Sequence, residues 1–435
     1  MIVTFSGGIH PPQSKNFTAE KPVETLPLPE KVIIPLRQHT GAVTTPTASV
    51  GDSVKTGEKI GESDAFISAP VHASISGKVT AISMHPHPVT GRETAVVIER
   101  EGDEWVEFRG HSSYETLTPE QIREIIRSAG IVGLGGACFP TVVKISPPKQ
   151  IDTFILNGAE CEPYLTSDYR LMVENAQEIV TGMKILMRAI GVNRGYIAIE
   201  DNKPEAIRKM EEASISDSAI EVVVLRTKYP QGSEKQLIKA ILNREVPSGG
   251  LPLDVGVVVN NVATAKAVRD AVLSGKPLIE RVVTVTGPNI VEPKNIIARI
   301  GTPFSDLIEF CGGTVETIAK LVAGGPLMGI AQYSLQTPVI KGTSGIIVFS
   351  SKDVPDLRPA ECIRCGFCVD VCPMGLLPSE LATYVEKERW EECKNSVLAD
   401  CMECGSCAYV CPAKRLIVQL IKYGKAKVSA MSKAQ

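Results

Sequence analysis

The sequence predicts a multidomain α/β protein, and three observations support this prediction. The chain has 435 residues, a length typical of about three domains. Helix and strand patterns alternate from residue 118 to residue 287, and two copies of one cysteine pattern stand near the C-terminus. These features place domain boundaries after residues 110, 287 and 340.

The composition is that of an ordinary globular protein. Hydrophobic residues make up 43% of the chain, charged residues 22%, and the net charge is −3, so no basic excess suggests nucleic-acid binding. The N-terminus MIVTFSGGIHPP lacks a basic region followed by an apolar run, and no stretch of about 18 apolar residues occurs. We therefore expect any membrane attachment to be peripheral.

Eight of the 12 cysteines form an internal repeat near the C-terminus. The copies, CIRCGFCVDVCP and CMECGSCAYVCP, both follow the spacing C-x2-C-x2-C-x3-C-P. In this pattern three thiolates bind one 4Fe–4S cluster, and the fourth binds the cluster of the other copy. We predict two 4Fe–4S clusters, one held by Cys362, Cys365, Cys368 and Cys411 and one by Cys401, Cys404, Cys407 and Cys372.

Zinc sites and disulfides are the alternatives to clusters at these cysteines. Zinc usually takes pairs of ligands separated by a longer spacer, and disulfides need an oxidising compartment. Between the repeats, PSELATYVEKERWEECKN predicts one helix capped at Ser379. Cys393 on that helix and Cys311 match no ligand spacing, so we expect both to be small buried side chains.

The segment from residue 118 to residue 287 predicts a mainly parallel sheet covered by helices. A helix over TPEQIREIIRSA begins at the capping-box pair Thr118 and Gln121 and ends at Gly130. The strand patterns DTFILN, GYIAIE, IEVVVLR and VGVVVN then alternate with helices, one of them running from Asp168 to about Ala189. Alternation of this kind is typical of parallel sheets.

The glycine-rich run GLGGACFPTVVK, from Gly133 to Lys144, fits neither common nucleotide-binding loop. A Rossmann fingerprint and a P-loop both follow a strand, whereas this run follows a helix and lacks the G-K-[ST] ending. Ligands of parallel sheets collect at the carboxyl ends of the strands, where NGAECEP, KYPQGSE and NNVAT lie together with this run. The four segments suit a phosphate-bearing ring system, or they are simply turns.

The ordered segments GLGGACFPTVVK, NGAECEP, YPQGSE and NNVAT resemble those of the flavin-binding subunit of respiratory complex I. That protein has a single cluster motif of different spacing. The doubled cysteine repeat therefore makes the whole chain more similar to the C subunits of Rnf ion-translocating electron transport complexes. This resemblance implies noncovalent FMN and NAD(H) as cofactors of residues 111–287, and a cluster domain with its linker at residues 341–435.

The resemblance also implies the residues of the cofactor pocket. They are Gly133, Gly135, Gly136, Phe139, Lys144, Asn157, Glu160, Cys161, Glu162, Tyr229, Gly232, Ser233, Glu234, Asn260, Asn261 and Thr264. Phe139 would stack on the adenine of the nucleotide, and Lys144 would lie by the FMN phosphate unless it is a solvated helix lysine. Ala159, Cys161 and Ser233 depart from the complex I pattern, where an aspartate, a serine and a glutamate stand.

Two flanking regions resemble other known domains. Residues 31–100 resemble biotinyl and lipoyl carrier domains, but Ala65 and Phe66 stand where a carrier places its modified lysine. We therefore expect a barrel-sandwich hybrid at residues 1–110 with a structural or partner-binding role. Residues 288–340 resemble the soluble-ligand-binding beta-grasp (SLBB) domain that follows the flavin domain in the same families.

The implied function is electron transfer between ferredoxin and NAD in a membrane-bound complex that translocates Na⁺ or H⁺. The partners would be the other subunits, including a ferredoxin-like iron–sulfur subunit, and the location the cytoplasmic side of the cell membrane. Two alternatives remain open: a soluble flavin reductase resembling the cobalamin reductase of bacterial microcompartments, and a non-catalytic ferredoxin-like wiring subunit. The domain before Gly133 argues against the reductase, whereas Ala159 is compatible with a vestigial nucleotide site.

Overall fold

The computed structural model describes residues 2–355 and 358–434. Its β-rich N-terminal part contains β1 (Val23–Thr25), β2 (Lys31–Pro35), β3 (Thr45–Pro46), β4 (Ser53–Val54), β5 (Lys59–Glu62), β6 (Val71–His72), β7 (Gly77–His87) and β8 (Gly91–Arg100). Two sheets, ordered β2-β8-β7-β4 and β3-β5-β6, enclose a core that includes Val32, Ile60 and Val96. This arrangement matches the predicted barrel-sandwich hybrid.

The α/β part follows the barrel. Its elements are α1 (Pro119–Ser128), α2 (Thr141–Lys144), β9 (Thr153–Asn157), α3 (Ser167–Glu174), α4 (Ala176–Ile190), β10 (Gly195–Glu200), α5 (Pro204–Ser214), β11 (Ile220–Leu225), α6 (Glu234–Leu242), β12 (Val257–Asn261) and α7 (Val262–Ser274). The sheet is parallel throughout, in the order β11-β10-β9-β12. The predicted parallel sheet is therefore confirmed.

Both faces of this sheet are buried, as expected for parallel strands. Phe154 and Val258 contribute to the core shared with helices on one face, whereas Ile155 and Val259 pack with Leu237 of α6 on the other. The capping box at Thr118 is present, since its hydroxyl accepts from the Gln121 N–H and the Gln121 side chain accepts from the Thr118 N–H. The predicted start of α1 is thus correct.

The helix predicted from Asp168 to Ala189 is in fact two helices. α3 ends and α4 begins at Asn175, whose φ of −131° and ψ of 33° lie outside the helical region. The hydrophobic pattern continues across the break, which is why the sequence predicts a single helix.

A second, mixed sheet follows the α/β part. Its elements are β13 (Glu280–Thr286), β14 (Lys294–Arg299), α8 (Phe304–Phe310), β15 (Lys320–Ala323), β16 (Ile330–Gln332) and β17 (Gly345–Phe349). The strand order is β1-β14-β13-β17-β15-β16. Strand β13 lies before the predicted boundary at residue 287 and β17 lies after that at 340, so this sheet extends beyond both predicted limits.

The C-terminal part is helical. It contains α9 (Phe367–Asp370), α10 (Pro378–Glu386), α11 (Trp390–Asn395), α12 (Ser406–Tyr409) and α13 (Ile417–Ala434). The single helix expected between the cysteine repeats is wrong, because α10 and α11 are separated at Glu388, which has a positive φ of 51°. The cap expected at Ser379 is also wrong, since Leu377 is the N-cap and Pro378 occupies the first helical turn.

Residues 2–25 lie outside the barrel and connect the other parts. Ile9 pairs with Tyr229, and β1 adds a parallel strand to β14 of the second sheet. Among the described residues, no helix has both the length and the apolar character needed to cross a membrane.

Candidate functional site

The glycine run forms a closed loop between α1 and α2. The Gly133 N–H donates to the Phe139 carbonyl at 2.9 Å, and a bridge between Val132 and Pro140 closes the base. Gly135 and Gly136 are exposed, and Gly136 has a φ of 110° that strongly favours glycine. The loop therefore presents backbone to solvent, as an anion-binding loop requires.

Thr264 fixes this loop to the α/β sheet. Its hydroxyl oxygen is buried and accepts a 2.9 Å hydrogen bond from the Leu134 N–H. A Cβ added to Gly135 would lie 3.3 Å from the Asn261 Cβ, so the loop passes closely over the end of β12. The structure thus brings together the glycine run and the NNVAT segment, as the sequence predicts.

The amide side chains that follow two neighbouring strands lie side by side. Asn157 at the end of β9 pairs in register with Asn261 at the end of β12. Asn157 donates to the Gly232 carbonyl at 2.8 Å and accepts from the Ala159 N–H at 3.1 Å. NGAECEP, YPQGSE and NNVAT therefore meet at the carboxyl edge of the sheet.

Asp168 is a site residue that sequence reasoning missed. Its carboxyl accepts a 2.6 Å hydrogen bond from the Asn261 Nδ2 atom. Burial, with the nearby Glu160 carboxylate, raises the pKa of Asp168 to about 7. The sequence signal was an acid in the first turn of α3, which reads equally well as an ordinary helix-start residue.

Two of the three predicted pocket acids, Glu160 and Glu162, serve mainly to join elements. The Glu160 carboxylate accepts from the N–H groups of Asp168 and Tyr169 at 2.7 and 3.1 Å, and so caps α3. The Glu162 carboxylate accepts from the N–H groups of Leu327 and Met328 at 3.1 and 2.8 Å. Burial raises the pKa of Glu162.

Lys15 braces the acidic loop from the N-terminal segment, and no sequence pattern indicated this role. Its ammonium group donates to the carbonyls of Glu160, Glu162 and Leu165 at 2.9, 3.0 and 2.6 Å. Burial lowers the pKa of Lys15 to about 8. The loop that bears Glu160 and Glu162 is therefore held by a cation 145 or more positions earlier in the chain.

Lys144 is not a freely solvated lysine. It forms an ion pair with Glu234, the first residue of α6, and the Lys144 side chain is 24% exposed. This ion pair joins the end of the glycine run to the segment after Tyr229. Lys144 thus borders the same edge of the sheet as the other predicted pocket residues.

The predicted pocket contains polar atoms that need a partner. Among the described residues, the buried amide of Asn260, a predicted pocket residue, has a nitrogen without a hydrogen-bond partner. The same holds for Gln231 of the YPQGSE segment, whose amide oxygen accepts from the Thr4 hydroxyl. Such buried donors are rare in native folds unless they meet a ligand or water. Together with the exposed glycine loop, these donors fit a ligand with a phosphate and a ring that accepts hydrogen bonds.

The positions that depart from the complex I pattern are accommodated structurally. The Cys161 sulfur accepts from the Gly232 N–H at 3.3 Å, and burial raises the pKa of this thiol to about 12. Cys161 is therefore a neutral thiol at physiological pH. The Ala159 carbonyl accepts from Lys203 at 2.7 Å, and Lys203 forms a buried ion pair with Glu200.

The eight repeat cysteines line two cavities in the helical part. One cavity has Cys362, Cys365, Cys368 and Cys411 in its lining, and the other has Cys372, Cys401, Cys404 and Cys407. This grouping is the one that the crossed ligand assignment requires, since three cysteines of one repeat lie with the fourth cysteine of the other.

Cys393 and Cys311 lie away from both cavities. Cys393 is 2% exposed within the helical core, and Cys311 is fully buried in the core of the second sheet. Their positions agree with the expectation of small buried side chains.

The two cavities differ in their surroundings. The second-repeat cavity, defined by Cys372, Cys401, Cys404 and Cys407, lies against the α/β part, where Ile9, Tyr229 and Cys404 share one buried cluster. The first-repeat cavity, defined by Cys362, Cys365, Cys368 and Cys411, reaches the surface, because Cys362 and Cys365 are exposed. The second-repeat cavity is therefore the inner of the two.

Comparisons with known families identify each part of the chain. The RnfC barrel sandwich hybrid domain matches residues 3–103, and the Nuo51 FMN-binding domain matches residues 126–270. The SLBB domain matches residues 282–331, and the 4Fe-4S dicluster domain matches residues 361–414. These matches confirm the predicted fold class and the predicted FMN and 4Fe–4S cofactors.

Three relatives, all C subunits of oxidoreductase complexes, give the same result. The one from the proton-translocating ferredoxin:NAD(+) oxidoreductase complex of Clostridium ljungdahlii is 53% identical over 98% of this chain and 94% of its own length. The one from the Na(+)-translocating complex of Acetobacterium woodii is 47% identical over 98% of this chain and 97% of its own length. The one from the ion-translocating complex of Rhodobacter capsulatus is 44% identical over 86% of this chain and 73% of its own length. The chain belongs to the RnfC family, the C subunits of ion-translocating oxidoreductase complexes.

Proposed function

We propose that this protein passes electrons between two 4Fe–4S clusters and an FMN that exchanges hydride with NAD(H). It would do so as a peripheral subunit, on the cytoplasmic face of a membrane complex that couples ferredoxin and NAD chemistry to ion transport. The similar C subunits are named for ferredoxin:NAD(+) oxidoreductase complexes. Those two names specify H⁺ and Na⁺, so the proposal includes ion transport without choosing the ion.

The order of the three cofactor positions carries this proposal. The inner, second-repeat cavity contacts the α/β part through Tyr229, whose hydroxyl donates to the Cys404 carbonyl at 2.6 Å. Gln236 of α6 also donates to the Pro373 carbonyl, next to Cys372, at 3.1 Å. The first-repeat cavity lies at the surface. The arrangement supports a linear path from the FMN pocket through the inner cluster to the outer cluster and then to a partner.

The residues of this chain would position the cofactors and control their surroundings. When bound, FMN supplies the conversion between two-electron hydride transfer and single-electron transfer. The glycine loop and Lys144 would hold its phosphate, while Asn157, Asn260 and Asn261 would orient its ring by hydrogen bonds. The crossed sets of cysteines would hold the clusters, with the second-repeat set nearest the flavin.

Phe139 and Glu162 are proposed as pocket residues, each on a single observation. Phe139 is half-buried at the end of the glycine loop, where an aromatic face beside the pocket suits a nucleotide base. Glu162 contacts the loop at Leu327 and Met328, so it shapes the pocket wall from the SLBB side.

Anaerobic purification and NADH titration test the proposal. We expect about eight irons and one FMN per chain, with NADH bleaching the flavin absorbance. Absence of flavin would refute the enzymatic role. Recovery of the native protein from membranes with integral partners is expected, whereas recovery as a free soluble protein would favour the flavin reductase alternative.

A further inference from the structure

Tyr229 is the point at which the flavin-binding part contacts the inner cysteine loop. It is 1% exposed, and its hydroxyl lies 2.6 Å from the Cys404 carbonyl and 3.4 Å from the Glu162 carboxylate. A hydroxyl has one hydrogen, and the shorter contact to Cys404 is the better donor geometry. The hydroxyl hydrogen is therefore directed at the inner loop.

The inner loop is docked from the second sheet as well. Glu162 accepts from the N–H groups of Leu327 and Met328, and the Leu327 carbonyl lies 3.2 Å from the position of a Cβ added at Gly405. Gly405 follows Cys404 directly. Residues from three parts of the chain therefore converge on this one turn of the inner loop.

The backbone of Tyr229 is fixed by the N-terminal segment. Ile9 and Tyr229 exchange two hydrogen bonds of 2.8 and 2.9 Å, and the Gly8 N–H donates to the Val371 carbonyl at 2.8 Å. Val371 precedes Cys372, which lines the same inner cavity. Through Gly8 and Ile9, the N-terminal segment links Tyr229 to the residue before Cys372. The Tyr229 side chain, whose hydroxyl contacts Cys404, therefore has little freedom to turn away.

The direction of this hydrogen bond has an electrostatic consequence. A donor bonded to the carbonyl of a ligand residue places the positive end of its dipole at the loop that holds the cluster, and the buried surroundings screen it weakly. Reduction adds negative charge to a cluster, so such a donor favours the reduced form. Hydrogen bonds and solvent exposure are the established means by which proteins set cluster potentials.

We propose that Tyr229 is a positioning residue that docks the inner cluster loop on the flavin-binding part and raises the reduction potential of the inner cluster. The inference rests on the proposed function only in requiring that both clusters are present. The Tyr229 hydroxyl contacts the inner loop, whereas two cysteines of the outer set are exposed at the surface. The potential of the outer cluster should therefore be independent of this hydroxyl.

The test is an anaerobic redox titration of the full chain followed by EPR, comparing wild type with Tyr229→Phe. We expect the equilibrium constant for reduction of the inner cluster to fall by roughly three- to tenfold in Tyr229→Phe, because the free energy of one hydrogen bond corresponds to a change of this size. A tenfold change corresponds to about 59 mV for a one-electron couple. The outer cluster should not change, and FMN-stripped protein should show the same shift.

Tyr423→Phe is the matched control, because Tyr423 lies on α13 of the same part and is 48% exposed. A fluorinated tyrosine at position 229 is a stronger donor of the same shape, so it should shift the potential of the inner cluster in the opposite direction. This second variant keeps the test valid if Tyr229→Phe loses iron. Unchanged potentials, or equal shifts at both clusters, would overturn the inference. Absence of one cluster or of FMN in wild type would instead refute the proposed function.

Discussion

The side-chain amide of Asn261 donates a 2.6 Å hydrogen bond to the half-buried carboxyl of Asp168. The same Asn261 side chain caps α7 by accepting from the Ala263 N–H at 2.8 Å. The pair therefore links the start of α3 to the start of α7, beneath the loop that carries Gly135. Burial and the Glu160 carboxylate raise the pKa of Asp168 to about 7, whereas the hydrogen bond from Asn261 lowers it.

Asp168→Asn should remove a pH dependence of stability. Burial and Glu160 raise the pKa of Asp168 to about 7, while Lys15 and Arg281 oppose this rise. The unfolded carboxyl ionises near pH 4, so the folded state binds more protons between about pH 4 and 7, and this contribution to stability is lost as pH rises through 7. Asp168→Asn should therefore raise the melting temperature at pH 8 but not at pH 4.

Thermal unfolding under anaerobic conditions at both pH values measures this effect. By linkage it amounts to at most about 4 kcal/mol. Asp64→Asn is the control, since Asp64 is exposed in the barrel hairpin, and it should alter neither melting temperature. A variant that is less stable than wild type at pH 8 would show that the folded protein favours the ionised Asp168 carboxylate, which contradicts a raised pKa.

Lys144→Ala should weaken FMN binding. A charged hydrogen bond to the phosphate contributes about 1.5 to 3 kcal/mol, so we expect Kd to rise by roughly 10- to 100-fold. Fluorescence titration of flavin-stripped protein with FMN measures Kd directly. Lys149→Ala is the matched control, because Lys149 also forms an ion pair, with Asp254, but its side chain is 58% exposed. Equal affinities of Lys144→Ala and wild type would place the phosphate elsewhere.

Thr264→Val should loosen the glycine loop without altering its sequence. The Leu134 N–H would lose its buried acceptor, at a cost of about 1 to 3 kcal/mol. We expect a lower melting temperature and faster proteolysis at residues 133–139. Thr264→Ser keeps the hydroxyl and should behave nearly as wild type. If the serine variant is as unstable as the valine variant, packing of the methyl group matters more than the hydrogen bond.

Cys372→Ala should abolish the inner cluster although Cys372 belongs to the first repeat. Iron should fall from about eight to about four per chain, and the EPR signal lost should be the one lost in Cys401→Ala. Cys411→Ala should instead match Cys362→Ala. Cys393→Ala, in the helical core, should retain both signals. Loss of the same signal in Cys372→Ala and Cys362→Ala would contradict the crossed assignment.

The sequence alone determined the features that depend on local spacing. Three cysteines at two-residue gaps, the Thr118 capping box and the alternation of strands and helices are set by residues close together in the chain. The parallel sheet and the meeting of four motif segments at its edge followed from these patterns. Local patterns failed at helix breaks, because Asn175 and Glu388 interrupt helices through backbone geometry that hydrophobic periodicity does not register.

Only the tertiary structure decided which groups meet across long separations. Lys15 reaches the carbonyl of Glu160 over 145 positions, and the Tyr229 hydroxyl reaches Cys404 over 175. It also decided that the second-repeat cavity is the inner one and that β17 pairs with β13. Such contacts depend on how whole domains pack, because a buried donor takes whichever acceptor the assembled surfaces bring within reach.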